Sequence, residues 1–182
     1  MSTRRNKTVL RTVRLTQDMN ALLQEEAEAN DLTVNGLINR ILTKHQEWDI
    51  HAEKFRFVSI ASETFRTLLE ECNEDKIEQV GAELGSKIPV GVTLFWFKKL
   101  NLETVLKTIS NYGKYSGLQT NEIKIEGDKY TIAFHHEIGP KWSIYLKSFM
   151  SQYIKTALGI TPHAETTYNT VMVSFHAHPS KT

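Results

Sequence analysis

The residues with the most chemistry to offer lie at opposite ends of the chain. Near the start runs Leu10-Arg11-Thr12-Val13-Arg14-Leu15. In an extended segment Val13 and Leu15 share one face while Thr12 and Arg14 share the other, because strand side chains alternate with period two. One face is apolar; the other carries a forked guanidinium donor and a hydroxyl able to donate or accept. Toward the end, His135, His136, His163, His176 and His178 fall between the middle of the chain and its terminus. On a strand His176 and His178 share a face, and such a pair holds a divalent metal if a third ligand approaches. His135 or His136 could be that ligand, with Glu137 as an oxygen donor or as the group that fixes an imidazole tautomer. The plain alternative is scattered surface histidines.

A third constellation is His136-Glu137-Ile138-Gly139-Pro140-Lys141-Trp142-Ser143, a strand running into a helix through a Gly-Pro turn. The free N–H groups of a first helical turn, with His136 and Lys141 beside them, could hold a carboxylate or phosphate, and Trp142 and Trp96 could wall the apolar part of the same cleft. The competing reading is a structural turn with Lys141 solvated and Trp142 in the core. There is no Gly-x-Ser-x-Gly elbow, no paired-cysteine redox motif and no close acid pair with a basic partner, so the chain does not read as an enzyme.

The elements that would position these groups follow from periodicity. Thr16 is a good N-cap and Asp18 a first-turn acid for a helix with Met19, Leu22, Leu23 and Ala27 on its apolar side. Asn30-Asp31 supplies a turn, Thr33 a second cap, and Val34, Leu37, Ile38, Ile41, Leu42, His45 and Trp48 a second stripe. A strand and two helices of this length have too little core to fold alone, so the unit must pair.

Residues 7 to 48 thereby resemble the ribbon-helix-helix DNA-binding proteins, in which strands from two chains form an antiparallel ribbon over four interlocked helices. The resemblance implies that this ribbon enters the major groove of double-stranded DNA. Leu10, Thr12 and Arg14 would then face the bases, Arg14 reading guanine O6 and N7 and Thr12 a donor, an acceptor or a thymine methyl. Leu10 departs from the polar residue more usual there. The backbone N–H groups of Thr33, Val34 and Asn35, at the second helix start, would meet a phosphate. Arg4, Arg5 and Lys7 would add phosphate contacts or form only a solubilising tail.

A boundary is expected around Asp49 to Glu53, dividing the chain into 1–50 and 51–182. In the second part the pattern predicts a strand from Lys54 to Ile60, a helix capped by Ser62, and a helix carrying Ile77, Val80 and Leu84 in which Gly81 and Gly85 admit a neighbouring backbone. Pro89 is expected to break that helix ahead of the apolar run Val90–Phe97, which is core, an oligomer surface or a pocket wall. A helix capped by Asn101 follows, then a hairpin around Glu126-Gly127-Asp128-Lys129, a helix from Pro140 to Gly159, and a last strand from Tyr168 to Phe175. If the intervening helices count as one crossover, this is the β-α-β-β-α-β order of a ferredoxin-like α+β sandwich with a helical insertion. That order is reminiscent of the nickel-responsive regulators. A sensor fold similar to small-molecule-binding domains of the four-vinyl-reductase type is the competitor.

The chain has 182 residues with a formal charge of +1, but the charges are segregated: residues 1 to 15 hold Arg4, Arg5, Lys7, Arg11 and Arg14 and no acid. A basic leading face against an acidic first helix orients an approach to phosphates even when the total is near zero. No apolar run approaches the ~20 residues that span a bilayer, and the start carries no signal-peptide pattern. The single cysteine, Cys72, excludes an intramolecular disulfide, fits a reducing cytoplasm, and reads as a buried small hydrophobe near a helix end. The reading is an α+β transcriptional regulator, a repressor in character, that is a homodimer or tetramer, binds double-stranded DNA and takes a small-molecule effector or divalent metal in its second domain. An antitoxin-like toxin-binding protein is the alternative, and a ligand-binding or enzymatic domain merely dimerised by its first fifty residues is a third.

Overall fold

The computed structural model describes residues 9–178, which form two compact units, the first ending at Gln46 and the second beginning at Glu47. The chain is α+β: helices dominate, and one four-stranded antiparallel sheet supplies the β part.

In the first unit the two threonine caps form as their chemistry dictates. Thr16 Oγ1 accepts from Met19 N at 3.3 Å and opens α1, Gln17–Ala29. Thr33 Oγ1 accepts from Gly36 N at 3.1 Å and opens α2, Val34–Lys44. Between them Asn30 closes α1 through bonds to the Ala27 and Glu28 carbonyls, and Asp31 takes the left-handed conformation (φ 54°) that short polar side chains tolerate. Only Ala27 and Leu37 are buried in this helix pair. Residues 10–15, where a strand is expected, join no sheet among the described residues, and Val9, Leu10 and Val13 are largely exposed. A ribbon needs a second strand, and among the described residues this chain does not supply one.

The second unit begins within a π-helical turn, His45–Asp49, that continues into α3, Ile50–Lys54. The strand expected from Lys54 to Ile60 is absent. Phe57 N bonds back to the Ala52 carbonyl and Arg56 is left-handed (φ 54°), so the chain closes the helix instead. Phe55 and Phe57 pack into an aromatic cluster with Trp48, Phe95 and Tyr112, a destination that outweighs the alternation of the segment.

Helix α4, Ser62–Glu70, is preceded by Ala61, so Ser62 is its first residue and not its side-chain cap. Cys72, expected buried, is exposed just beyond it. Helix α5 runs unbroken over Glu74–Phe97 with Pro89 inside it. An interior proline costs about 3 kcal/mol, but here both sides of it are clamped. Gly81 and Gly85 press on α7, Pro140–Leu158: a Cβ at Gly85 would lie within 2.2 Å of the Phe149 carbonyl oxygen, and one at Gly81 within 2.6 Å of that of Tyr145. Just after the proline, Val92 and Thr93 are fully buried. Thr93 Oγ1 bonds the Pro89 carbonyl (2.6 Å), Thr108 Oγ1 (2.9 Å) and Tyr153 Oη (2.5 Å), tying together α5, α7 and α6, Leu102–Tyr115. Helix α6 starts at a reciprocal capping box between Asn101 and Thr104.

The sheet is built from two hairpins. β1, Thr120–Glu126, pairs with β2, Lys129–His135; β3, His163–Thr166, pairs with β4, Thr170–His176; and β2 pairs with β4, giving the order β1-β2-β4-β3. Tyr130, Ile132 and Phe134 of β2 and Val171, Val173 and Phe175 of β4 face inward onto Val105 and Ile109 of α6 and Leu146, Phe149, Met150 and Ile154 of α7. The ferredoxin-like order is therefore not realised. Its first strand is missing, and a strand at His163–Thr166 takes the fourth place in the sheet. No helix among the described residues is long and apolar enough to cross a membrane.

Candidate functional site

The site residues expected from the sequence fall into two regions, one in each unit. In the first, Leu10, Thr12 and Arg14 are all exposed, as are Thr33 and Asn35, while Val34 is partly covered. The Gly36 N–H is taken by the Thr33 hydroxyl, so the N–H groups of Val34 and Asn35 are the ones a first turn leaves to an outside acceptor. Arg4, Arg5 and Lys7 lie outside the described residues.

In the second unit, strand β2 hands over to α7 through His136-Glu137-Ile138-Gly139. Gly139 (φ 97°) makes a turn few other residues could adopt, and its N–H bonds Asn169 Oδ1 at 3.2 Å. His136 is buried, and both of its ring nitrogens are engaged. The Ile138 N–H, 3.3 Å from Nδ1, can only donate, so Nδ1 accepts and the proton sits on Nε2. Nε2–H then donates to Ser143 Oγ at 2.9 Å, and the Ser143 hydroxyl donates to the Tyr168 carbonyl at 3.2 Å. The His136 backbone N–H bonds the Asn169 carbonyl. Burial, with a smaller contribution from the charge of His135, pushes the imidazole down to about 4, so it is neutral near pH 7. A neutral ring with both nitrogens used is a fastener that joins β2, α7 and the β3–β4 turn. It has no lone pair left for a metal and no proton left for an anion.

The other residues of this constellation are likewise occupied. Lys141 Nζ donates to the carbonyls of Glu70 (2.6 Å) and Cys72 (2.7 Å), so it caps the end of α4 and does not hold an anion. Trp142 stacks on Tyr145 at 4.8 Å and meets the edge of Phe65 at 5.3 Å. Trp96 sits in a different cluster, against Trp48, His51 and Tyr112. The two tryptophans share no aromatic partner and do not wall one cleft. In each, the indole N–H is buried without a hydrogen-bond partner among the described residues.

The histidines proposed for a metal are separated by the sheet register. His135 lies opposite Thr170 and bonds its hydroxyl at 3.3 Å, whereas His176 lies opposite Lys129 and bonds Asp128 at 3.2 Å. Six residues of β4 separate the two positions, about 20 Å along a strand. No group of three or more His, Cys, Asp or Glu side chains placed to hold a metal occurs among the described residues.

What sequence reasoning missed is the outer face of the sheet. Lys129, Thr131, His163, Glu165, Met172 and Ser174 line a shallow depression of about 210 Å³ there, with His163 Nε2 2.8 Å from Glu165 Oε1. The legible signal was His163-x-Glu165 just after Pro162, a two-residue alternation too short to separate from a loop.

Comparison of the chain with protein-family models, with characterised proteins and with solved structures finds no match.

Proposed function

We propose that this protein is a sequence-specific DNA-binding regulator of transcription that works by occluding its site, with its first unit paired to a second copy as a ribbon-helix-helix dimer. The observation that carries the reading is the state of the first unit. Both threonine caps are formed, in register with the helices the motif requires, yet the apolar residues that should be covered are not. Val9, Val13, Met19, Leu22 and Leu42 each expose more than half of their surface. A helix pair with two buried residues has no core of its own, and a second copy covering Val13, Leu22 and Leu42 supplies one. Pairing two such segments as an antiparallel ribbon with Val13 inward presents Thr12 and Arg14 from both copies on a single polar surface, with the α2 N-termini beside it for backbone phosphates.

The experiment is a binding titration of full-length protein on a selected operator and on random DNA. Arg14→Ala is expected to weaken operator binding by about 1–3 kcal/mol and leave the dimer and the random-DNA affinity nearly unchanged. Equal losses on both DNAs would reduce Arg14 to a phosphate contact. Absence of any DNA binding by the wild-type chain would remove the reading.

A further inference from the structure

The two edges of the sheet are protected very differently. β3 is four residues long and follows Pro162, so it offers little to a passing strand. β1 is seven residues long, pairs with β2 in unbroken register from Thr120 to Glu126, and contains neither a bulge nor a proline. Its hairpin turn is two residues, with Gly127 left-handed (φ 64°) and Asp128 not, as in a type II′ turn closed by Glu126 and Lys129. That closing pair exchanges both of its backbone bonds. By alternation, the N–H and C=O groups of Asn121, Ile123 and Ile125 then point to the open edge.

We propose that β1 is a self-pairing edge, joining two copies of this chain antiparallel about a two-fold axis at Ile123 into a continuous eight-stranded sheet. In this register Ile123 lies opposite itself, Asn121 opposite Ile125, and Glu122 opposite Lys124 of the second copy, twice over by symmetry. Lys124, already 2.8 Å from Glu126 of its own strand, is then flanked by carboxylates on both sides. Of the two neighbouring registers, the one centred on Lys124 places Lys124 against Lys124 and Glu122 against Glu126, and the one centred on Glu122 places Glu122 against Glu122, so each sets like charges opposite one another. Ile125, 54% exposed although it points to the helix side of the sheet, gains a neighbour across the new pair. A single strand pair covers less than the ~1,600 Å² of a standard interface, so this contact is weak alone and salt-sensitive, and is strengthened when another contact already holds two chains together. It does not depend on whether the first unit binds DNA.

The register can be read by cross-linking full-length protein in a Cys72→Ser background, which removes the only cysteine. Facing residues of a hydrogen-bonded antiparallel pair have Cα atoms about 5.5 Å apart, within the range a disulfide spans. Mild oxidation at low salt is expected to link Ile123→Cys into a dimer and to leave Lys124→Cys unlinked. Adding Lys124→Glu to the Ile123→Cys protein should slow its linking several-fold, and adding Glu122→Lys as well should restore the rate. Linking of Lys124→Cys in preference to Ile123→Cys, linking of neither, or equal rates across the three charge variants would each overturn the proposal. Circular dichroism of each variant separates these outcomes from misfolding.

Discussion

Lowering the pH from 6.5 toward 4 should loosen the second unit through His136. The ring is neutral in the fold, held down to about 4 by burial and by His135, while in the unfolded chain it takes up its proton near its ordinary value of 6.5. Between those two values the unfolded state binds one more proton than the folded state, so stability falls as pH falls and is fully recovered above 6.5. Each pH unit in that window is worth about 1.36 kcal/mol for one proton, so the whole interval amounts to about 3 kcal/mol. His51 is also shifted down, by burial first and then by Lys54 and Lys98, and adds slope of the same sign. The contribution of His136 is therefore the difference between wild type and His136→Gln. The assay is the urea midpoint from pH 7.5 to 4.5. The variant starts lower by about 1–3 kcal/mol, since Ser143 or the Ile138 N–H loses its partner, and loses stability less steeply on acidification. Nitrogen chemical shifts should place the proton on Nε2 down to about pH 5. Proton uptake by His136 near 6.5, or parallel curves for variant and wild type, would refute the account of the ring as a buried neutral fastener.

Other consequences follow from the packing. Gly85→Ala puts a methyl group against the Phe149 carbonyl, and since that obstacle is backbone, α5 and α7 must separate; a loss of about 1–3 kcal/mol or more is expected by chemical denaturation, with a smaller loss at Gly81. Tyr153→Phe removes one member of the buried hydroxyl set and leaves Thr93 its bonds to Thr108 and the Pro89 carbonyl, so a loss of about 1–2 kcal/mol is expected in a thermal melt; no change would mean that the 2.5 Å contact contributes nothing net.

Local chemistry made much of this molecule readable from its residues. Thr16, Thr33 and Asn101 announced helix starts because a side-chain oxygen is the nearest acceptor for a first-turn N–H, and each forms that bond. Glu126-Gly127-Asp128-Lys129 announced a hairpin because glycine alone takes the required φ without strain, and Pro140 and Gly159 bracketed α7 for equally local reasons. Gly81 and Gly85 were legible as a place for a close backbone, though not whose.

Tertiary structure decided the rest, always by supplying partners from far along the chain. Pro89 reads as a break by local rules, yet α5 continues because α6 and α7 grip it on both sides. Phe55 and Phe57 alternate like a strand but settle against Trp48, Phe95 and Tyr112. His136 and Lys141 have the composition of an anion site. What draws them into another role is Ile138, Ser143, Glu70 and Cys72, whose hydrogen bonds engage both ring nitrogens of His136 and tie the Lys141 ammonium to two carbonyls. His135 and His176 look like metal ligands until the sheet register sets them at opposite ends of the β2–β4 pair. The sequence determines which groups a residue carries, but whether those groups are free to act depends on neighbours brought to it only when the chain has folded.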